Sequence, residues 1–144
     1  MSVAAVSEHA ALNQLYLSWD YHGGIADSDV VYVARLDSRV VGLVRRTSES
    51  GVVMLRGMHV SPEYQRRGIG TRLLRAFVGD LPATECYCIP FAHLVGFYSQ
   101  AGFSPVDDSQ APTFLRERLL RYRAEGHIVL LMRRDNGSRV DPRE

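Results

Sequence analysis

The chain of 144 residues is long enough for one domain with a sizeable core, and 46% hydrophobic and 23% charged residues are typical of a globular protein. Its 17 basic residues are all arginines and nearly balance 16 acidic ones, so the formal net charge of +1 argues against a general nucleic-acid binder. No apolar run reaches membrane-spanning length and the first residues lack a signal-peptide pattern, which predicts a soluble cytoplasmic protein without a membrane partner.

The amino-terminal part predicts one helix and an antiparallel meander. Apolar side chains at helical spacing indicate a helix from Glu8 to Trp19, which ends before a pair of glycines. Runs rich in β-branched residues, separated by turn residues, then predict strands at 30–36, 40–46 and 52–60. Because short turns join these strands, we expect each to pair antiparallel with the next.

The rest of the chain alternates helices and strands. We expect helices at 71–78, 92–100 and 113–125, and strands at 85–89 and 127–132. A meander followed by such alternation predicts an α+β fold with a mixed, mostly antiparallel sheet flanked by helices. No linker divides the chain, so we expect residues 1–135 to form a single domain and the polar segment 136–144 to be disordered.

The two cysteines do not indicate a metal site. Cys86 and Cys88 alternate with Tyr87 in a predicted strand. Two thiols without further Cys or His ligands nearby are too few for zinc, so we interpret them as buried free thiols and predict no metal.

The stretch from Val60 to Thr71 leads from an apolar strand through a basic turn with two glycines into a helix. Consecutive backbone N–H groups in such a turn, together with the positive end of the helix dipole, hold an anion such as phosphate. Glycine at positions 68 and 70 would permit positive φ and close approach of the ligand. The turn has neither the Lys-Ser/Thr of a Walker A loop nor the third glycine of a dinucleotide fingerprint, which argues against a nucleoside triphosphate or NAD.

Two segments resemble motifs of the GNAT acyltransferases, which bind acetyl-coenzyme A (acetyl-CoA). Residues 65–70, Gln-Arg-Arg-Gly-Ile-Gly, are similar to the Q/R-x-x-G-x-G/A pyrophosphate loop, and residues 97–103 are similar to the F-Y-x-x-x-G-F stretch. Their order and separation also match the family. The resemblance implies an N-acetyltransferase that moves the acetyl group of acetyl-CoA to a primary amine of a small molecule or protein, by direct attack in a ternary complex.

The resemblance also implies a sharper fold. The strand before the basic turn and the strand at 85–89 would run parallel and splay apart in a twisted central sheet, forming a V-shaped slot for acyl-CoA. The chain is short at its amino terminus compared with the family, so the first strand is expected to be Ser2 to Val6 or to be missing.

A helix at 113–125 is additional to the family pattern. Its apolar residues should bury one face, and they are Phe114, Leu115, Leu119, Leu120 and Tyr122. We expect this helix to wall the acceptor site, with the alternative that it meets a second subunit in a homodimer. Its arginines are interpreted as a solvated face.

The resemblance assigns most of the site. Backbone N–H groups at the end of the strand 52–60 would orient the acetyl carbonyl and the pantetheine arm, and the turn would bind the pyrophosphate. The predicted acetyl-CoA-binding residues are Met58, His59, Val60, Gln65, Arg66, Arg67, Gly68, Ile69, Gly70 and Thr71. Tyr98 matches the family's tyrosine that protonates the CoA sulfur and is the predicted catalytic residue, with a core aromatic as the alternative.

The proton acceptor and the acceptor contacts are less defined. Strand alternation points Arg56 and Met58 to one face and His59 to the other unless a bulge intervenes, so we expect water, His22 or Asp20 to accept the proton. Arg56 is predicted either to pair with a carboxylate of the acceptor or to reach solvent from the strand end. The missing base on the strand leaves a second function open, a catalytically silent CoA-binding regulatory module.

Overall fold

The computed structural model describes residues 1–135, and the predicted disordered tail at 136–144 lies outside the described residues. The chain divides into two units, one from Met1 to Leu81 and one that begins at Pro82. In the described part of the chain, no helix is both long enough and apolar enough to cross a membrane.

The first unit contains four strands in sequential antiparallel pairing. They are β1 (Ser2–Val3), β2 (Val30–Leu36), β3 (Arg39–Glu49) and β4 (Val52–Val60). β2 and β4 have their predicted bounds, and β1 is a short first strand. β3 is longer than predicted, because its polar residues 47–49 continue the pairing with β4 up to the turn.

Two helices cover the sheet of the first unit, α1 (His9–Ser18) and α2 (Ile69–Gly79). Between α1 and the sheet, buried side chains form a core cluster that includes Leu12, Tyr16, Val31, Val33 and Leu43. Tyr32 alternates with its neighbours and points to the other face, where its ring meets that of Phe77 on α2 with the centres 5.7 Å apart. Each face of this sheet is therefore covered by one helix.

A bulge interrupts β4 at Gly57. On one side of it Arg45 of β3 lies opposite Arg56. On the other side Leu43 lies opposite His59, so two residues of β4 stand against one residue of β3. Gly57 has a φ of 68°, which glycine adopts without steric cost.

The bulge changes which side chains of β4 share a face. Opposed residues of paired strands point to the same face, and Leu43 and Arg45 are two positions apart on β3. Their partners His59 and Arg56 therefore share one face. The expected alternation, with His59 opposite to Arg56, was wrong because the bulge shifts the period by one residue.

The second unit contains three short strands, β5 (Cys86–Cys88), β6 (Ser104–Pro105) and β7 (Met132–Arg134). β7 pairs antiparallel with both of the others. The strand predicted at 127–132 was placed too early, since this segment contributes a single bridge between Phe91 and Val129 before β7. Pro90 lies beside this bridge and has no N–H with which to continue a ladder.

The helices of the second unit are α3 (Val95–Ser99), preceded by a 3-10 turn at Ala92–Leu94, and α4 (Thr113–Ala124). α4 is the predicted additional helix. Leu115 and Leu119 are fully buried, whereas Leu120 is 61% exposed. The expectation that Leu120 belongs to the buried face was wrong, because residues four apart share a helix face and adjacent residues do not.

Candidate active site

The loop between β4 and α2 starts with a 3-10 turn, Pro62–Tyr64, and continues through the exposed residues 65–68. Gln65 Nε2 donates a hydrogen bond to Val60 O at 3.0 Å, which folds the loop back onto the end of β4. Arg66 and Gly68 have left-handed backbones, with φ of 67° and 80°. Loops that mix right- and left-handed residues group successive N–H groups into a concave anion site.

The first turn of α2 adds donors to this predicted anion site. Arg72 N–H donates to Gly68 O at 3.1 Å, so the N–H groups of residues 69–71 have no acceptor inside the helix. The positive end of the helix dipole lies at the same point. The guanidinium of Arg67 lies over the Tyr64 ring, 5.2 Å from its centre, and adds positive charge to an exposed loop.

The two glycines of the loop differ in conformation. Gly68 precedes α2 and has the expected positive φ. Gly70 is the second residue of α2 and is not among the glycines with positive φ, so the expectation was wrong for this residue. The reason is that the helix begins at Ile69, whose buried side chain anchors the first turn, two positions before the predicted start.

A buried arginine, Arg45, organises the segment between α1 and β2. It is 2% exposed and lies 3.0 Å from Asp29, which is 6% exposed. Its guanidinium also donates to Tyr21 Oη at 2.7 Å and to Gly24 O, and it lies over the rings of Tyr16 and Tyr21. A buried charge is tolerated only when it is paired and hydrogen-bonded, so these contacts hold the segment against β3.

His59 lies among aromatic rings of the same unit. The centre of its ring is 4.9 Å from Tyr21, 6.0 Å from Tyr16 and 6.4 Å from Trp19. Tyr16 Oη donates to the bulge carbonyl, Gly57 O, at 2.7 Å, which satisfies that carbonyl away from water. Burial lowers the pKa of His59 below its ordinary value near 6.5, so the imidazole is neutral at neutral pH.

A cavity of about 200 Å³ opens beside the Arg45 network. It is lined by residues of the segment from Gly23 to Asp29 and by residues near the paired ends of β3 and β4, including Glu49 and Arg56. The side chain of Arg56 is 23% exposed, and its Nη1 lies 3.4 Å from Glu49 Oε2. Arg56, the predicted substrate-side residue, therefore borders a cavity and is only partly exposed.

Tyr98 of α3, the predicted catalytic residue, is 5% exposed. Its ring packs edge-on against Phe97 and Phe103, with ring centres 4.9 and 6.1 Å away. Burial and the nearby thiol of Cys88 raise the pKa of Tyr98 above its usual value. The phenol therefore keeps its proton at neutral pH.

The remaining candidates are the proposed proton acceptors and the cysteines. His22 and Asp20, proposed as proton acceptors, are exposed and lie 3.1 Å from each other. Among residues 1–135, no group of three or more His, Cys, Asp or Glu side chains is arranged to hold a metal ion. Cys86 and Cys88 are buried free thiols.

Sequence reasoning missed Arg45 and its partners. The strand pattern contained a signal, because alternate residues of a strand point to the same face. In β3 the inward-facing residues are all buried, and they are Val41, Leu43, Arg45 and Thr47. An arginine at an inward position predicts a buried ion pair. Its partners Tyr21 and Asp29 come from an irregular segment, in which no periodicity marks an inward side chain.

Comparison with known proteins identifies the family. The model of the acetyltransferase (GNAT) domain matches residues 27–105, which is more than half of the chain. The matched residues include the loop after β4 and the whole F-Y-x-x-x-G-F stretch at 97–103. No curated protein sequence matches the chain significantly.

Solved structures show the same fold at low sequence identity. Escherichia coli ElaA is 18% identical, with a TM-score of 0.66 over 92% of this chain and 93% of its own. An aminoglycoside 6'-N-acetyltransferase complexed with coenzyme A is 14% identical, with a TM-score of 0.62 over 98% of this chain and 100% of its own.

N-acetylglutamate synthase from Neisseria gonorrhoeae, complexed with coenzyme A and N-acetyl-glutamate, is 15% identical with a TM-score of 0.63 over 92% of this chain. The chain spans only 34% of that synthase. These similarities confirm the predicted α+β fold. Together with the family match, they lead to one conclusion: the chain belongs to the GNAT family of acetyltransferases, the acetyl-CoA-dependent family that its motifs predicted.

Proposed function

We propose that the protein transfers the acetyl group of acetyl-CoA to the primary amine of a small molecule or protein, by direct attack in a ternary complex. The observation that carries this proposal is the exposed loop after β4. Its left-handed Arg66 and Gly68 and the start of α2 provide the backbone donors that a pyrophosphate requires. The donor-binding residues of the proposal are Met58, His59, Val60, Gln65, Arg66, Arg67, Gly68, Ile69, Gly70 and Thr71.

The reaction requires one bond to form and one to break. The amine nitrogen attacks the thioester carbonyl carbon, and the carbon–sulfur bond breaks to release a thiolate. In the proposal, Tyr98 Oη donates its proton to that thiolate, because Tyr98 matches the tyrosine of the F-Y-x-x-x-G-F stretch and its raised pKa keeps the hydroxyl protonated at neutral pH. Backbone N–H groups at the end of β4 would polarise the carbonyl.

The attacking amine must lose a proton, and we assign its acceptance to His59. The bulge at Gly57 is the support, because it places His59 on the face of β4 that also carries Arg56. Burial keeps the imidazole neutral at neutral pH, so a ring nitrogen is free of a proton and can accept one. The exposed pair of His22 and Asp20 has no comparable support.

Tyr98→Phe tests the chemistry. We expect kcat to fall by about 10²-fold, since a positioned acid contributes roughly this factor, while affinity for CoA is retained. The measurements are thiol release with a panel of primary amines and calorimetric titration with CoA. Tyr87→Phe is the matched control, because Tyr87 is an equally buried tyrosine of the second unit, and its turnover should match the wild type.

The alternative is a CoA-binding regulatory module without chemistry. It is favoured if the wild type binds CoA but releases no thiol with any amine. Equal, measurable turnover of Tyr98→Phe and the wild type would instead assign Tyr98 to packing. Failure to bind CoA contradicts both functions. Measuring CoA binding and turnover on the same samples therefore distinguishes the two functions.

The remaining organisation belongs to the same proposal. One acetyltransferase domain over residues 1–135 is supported by the family match, which runs across the boundary between the two units. Buried free thiols at Cys86 and Cys88 are consistent with a cytoplasmic location, because free thiols are typical of reducing compartments. If α4 joins two copies in a homodimer rather than walling the acceptor site, exposed Leu120 is the side chain to be covered.

A further inference from the structure

We propose that the cavity bordered by Arg56 binds a carboxylate of the acceptor, so that the acceptor class is small amines that carry a carboxylate, such as amino acids. This inference rests on the proposed acetyl transfer and narrows its acceptor. It is carried by the cavity, by the unused donors of Arg56 and by the charge pairing around them.

The cavity fits a small polar group. Its volume of about 200 Å³ lies below the roughly 300–1,000 Å³ of pockets for drug-sized ligands. Glycine backbone and the hydroxyl-bearing residues Ser28 and Ser48 contribute to its lining, together with charged side chains. Polar groups of this kind orient a small ligand through hydrogen bonds rather than through apolar burial.

Arg56 has capacity for an anionic ligand. A guanidinium carries five N–H donors in a planar fork that matches the two oxygens of a carboxylate. The contact found for Arg56 among residues 1–135 is the ion pair with Glu49, at a long 3.4 Å. A bound carboxylate can therefore take donors that this ion pair does not use.

The charged residues that line the cavity are two arginines and two carboxylates, so the preference for an anion rests on the unused donors of Arg56 rather than on a net charge. Asp29 and Arg45 also line the cavity, but they are paired with each other at 3.0 Å and both are buried. Asp29 is thus neutralised and is not available to hold an ammonium group. Glu49 is the other carboxylate of the lining, and it already contacts Arg56 and Thr47.

Three product-like probes separate the possible ligand charges. They share an N-acetyl group and differ in the charge at the other end: N-acetylalanine is an anion, N-acetylalaninamide is its neutral amide, and N-acetylethylenediamine, which lacks the methyl branch, is a cation. We expect the anion to bind the wild-type protein about ten- to a hundredfold more tightly than the neutral amide, the range for a hydrogen-bonded charge. Binding is measured by calorimetry or NMR titration, without CoA.

Arg56→Gln should abolish this preference and leave CoA affinity unchanged, and Arg56→Lys should retain part of it, since a lysine keeps the charge but not the fork. Arg35→Gln is the matched control, because Arg35 is also a strand arginine paired with a carboxylate, Glu8 at 2.8 Å. It should keep the full preference. Thermal melts check that each variant is folded, and the wild-type comparison needs no variant.

Equal binding of the anion and the amide to the wild type overturns the proposal, as does tightest binding of the cation, which would assign the cavity to Glu49. Persistence of the preference in Arg56→Gln, or its loss in Arg35→Gln, overturns the role of Arg56. These outcomes are independent of acetyl transfer, because CoA binding and thiol release are measured separately. Loss of those two activities with an intact anion preference contradicts the proposed function and not this site.

Discussion

Individual buried polar residues shape the first unit more than its apolar pattern suggests. Arg45 takes an inward position of β3 that an aliphatic side chain would fill, and its charge is matched by Asp29, Tyr21 and the Gly24 carbonyl. Its Nε is buried without a hydrogen-bond partner among the described residues. Such a group costs free energy, so the remaining contacts of the guanidinium must offset it. The residue thereby fixes an irregular segment that has few apolar anchors.

The burial of His59 predicts a pH dependence of stability. Its pKa is lowered in the folded state, so the folded protein disfavours the protonated form. The folded state therefore keeps its full stability above the pKa of His59 in the unfolded chain, near 6.5. It loses stability as the pH falls from that pKa toward the lower pKa of His59 in the folded protein. We expect His59→Gln to lose less Tm than the wild type between about pH 7.5 and about pH 5.

His22→Gln provides the comparison for an exposed histidine of the same unit. Tm is measured by circular dichroism at each pH in one buffer series. If wild type and His59→Gln lose the same Tm over this range, His59 does not contribute to the acid sensitivity. This readout does not depend on turnover, so it tests the environment of His59 separately from its proposed role as a base.

At the scale of elements, regular segments could be predicted and irregular ones could not. β2 and β4 were predicted at their observed bounds because β-branched runs between turn residues mark both ends. The bulge at Gly57 carries no periodic signal, since a glycine inside a strand also fits a plain ladder. The short β6 at Ser104–Pro105 was missed because two residues are too few for alternation.

The candidate site divides in the same way. The loop after β4 and Tyr98 were predicted because contiguous motifs carry them. The cavity beside Arg56 could not be predicted, since its lining comes from three separate parts of one unit and depends on a charge pair between Arg45 and Asp29. Contacts distant in sequence need the folded register, which the bulge alters by one residue.

The loop between β4 and α2 yields a prediction at Gly68. Alanine at a left-handed position costs about 1–2 kcal/mol, so Gly68→Ala should weaken CoA binding about five- to thirtyfold if the variant loop leaves the φ of 80° and must regain it on binding. Gly79→Ala at the other end of α2 is the matched control, because its new Cβ has no atom within 4 Å apart from its chain neighbours and the helix's own backbone, and its φ is not positive.

Calorimetric titration with CoA measures both variants. Gly79→Ala should bind like the wild type. Unchanged affinity in Gly68→Ala would contradict the assignment of the loop, because a pyrophosphate held by the backbone must respond to the conformation of that backbone.

The whole molecule carries almost no net charge, so its overall charge contributes little to the attraction of a charged ligand. With 17 basic and 16 acidic residues the long-range field is weak. Attraction of an anionic ligand must therefore come from a local excess of positive charge. The loop after β4 provides it, with Arg66 and Arg67 adjacent and exposed.

This local origin predicts how CoA affinity depends on salt. Exposed charges are screened beyond about 10 Å at 0.1 M and about 3 Å at 1 M ionic strength, so affinity should fall as salt rises. Arg67→Gln should weaken binding by up to about fivefold at low salt, because an exposed ion pair contributes at most about 1 kcal/mol. The same variant should show a shallower salt dependence than the wild type.

Arg35→Gln changes the net charge equally while leaving the loop intact, and it should keep the wild-type slope in calorimetric titrations. If both variants flatten the slope alike, total charge rather than the loop governs the attraction of CoA.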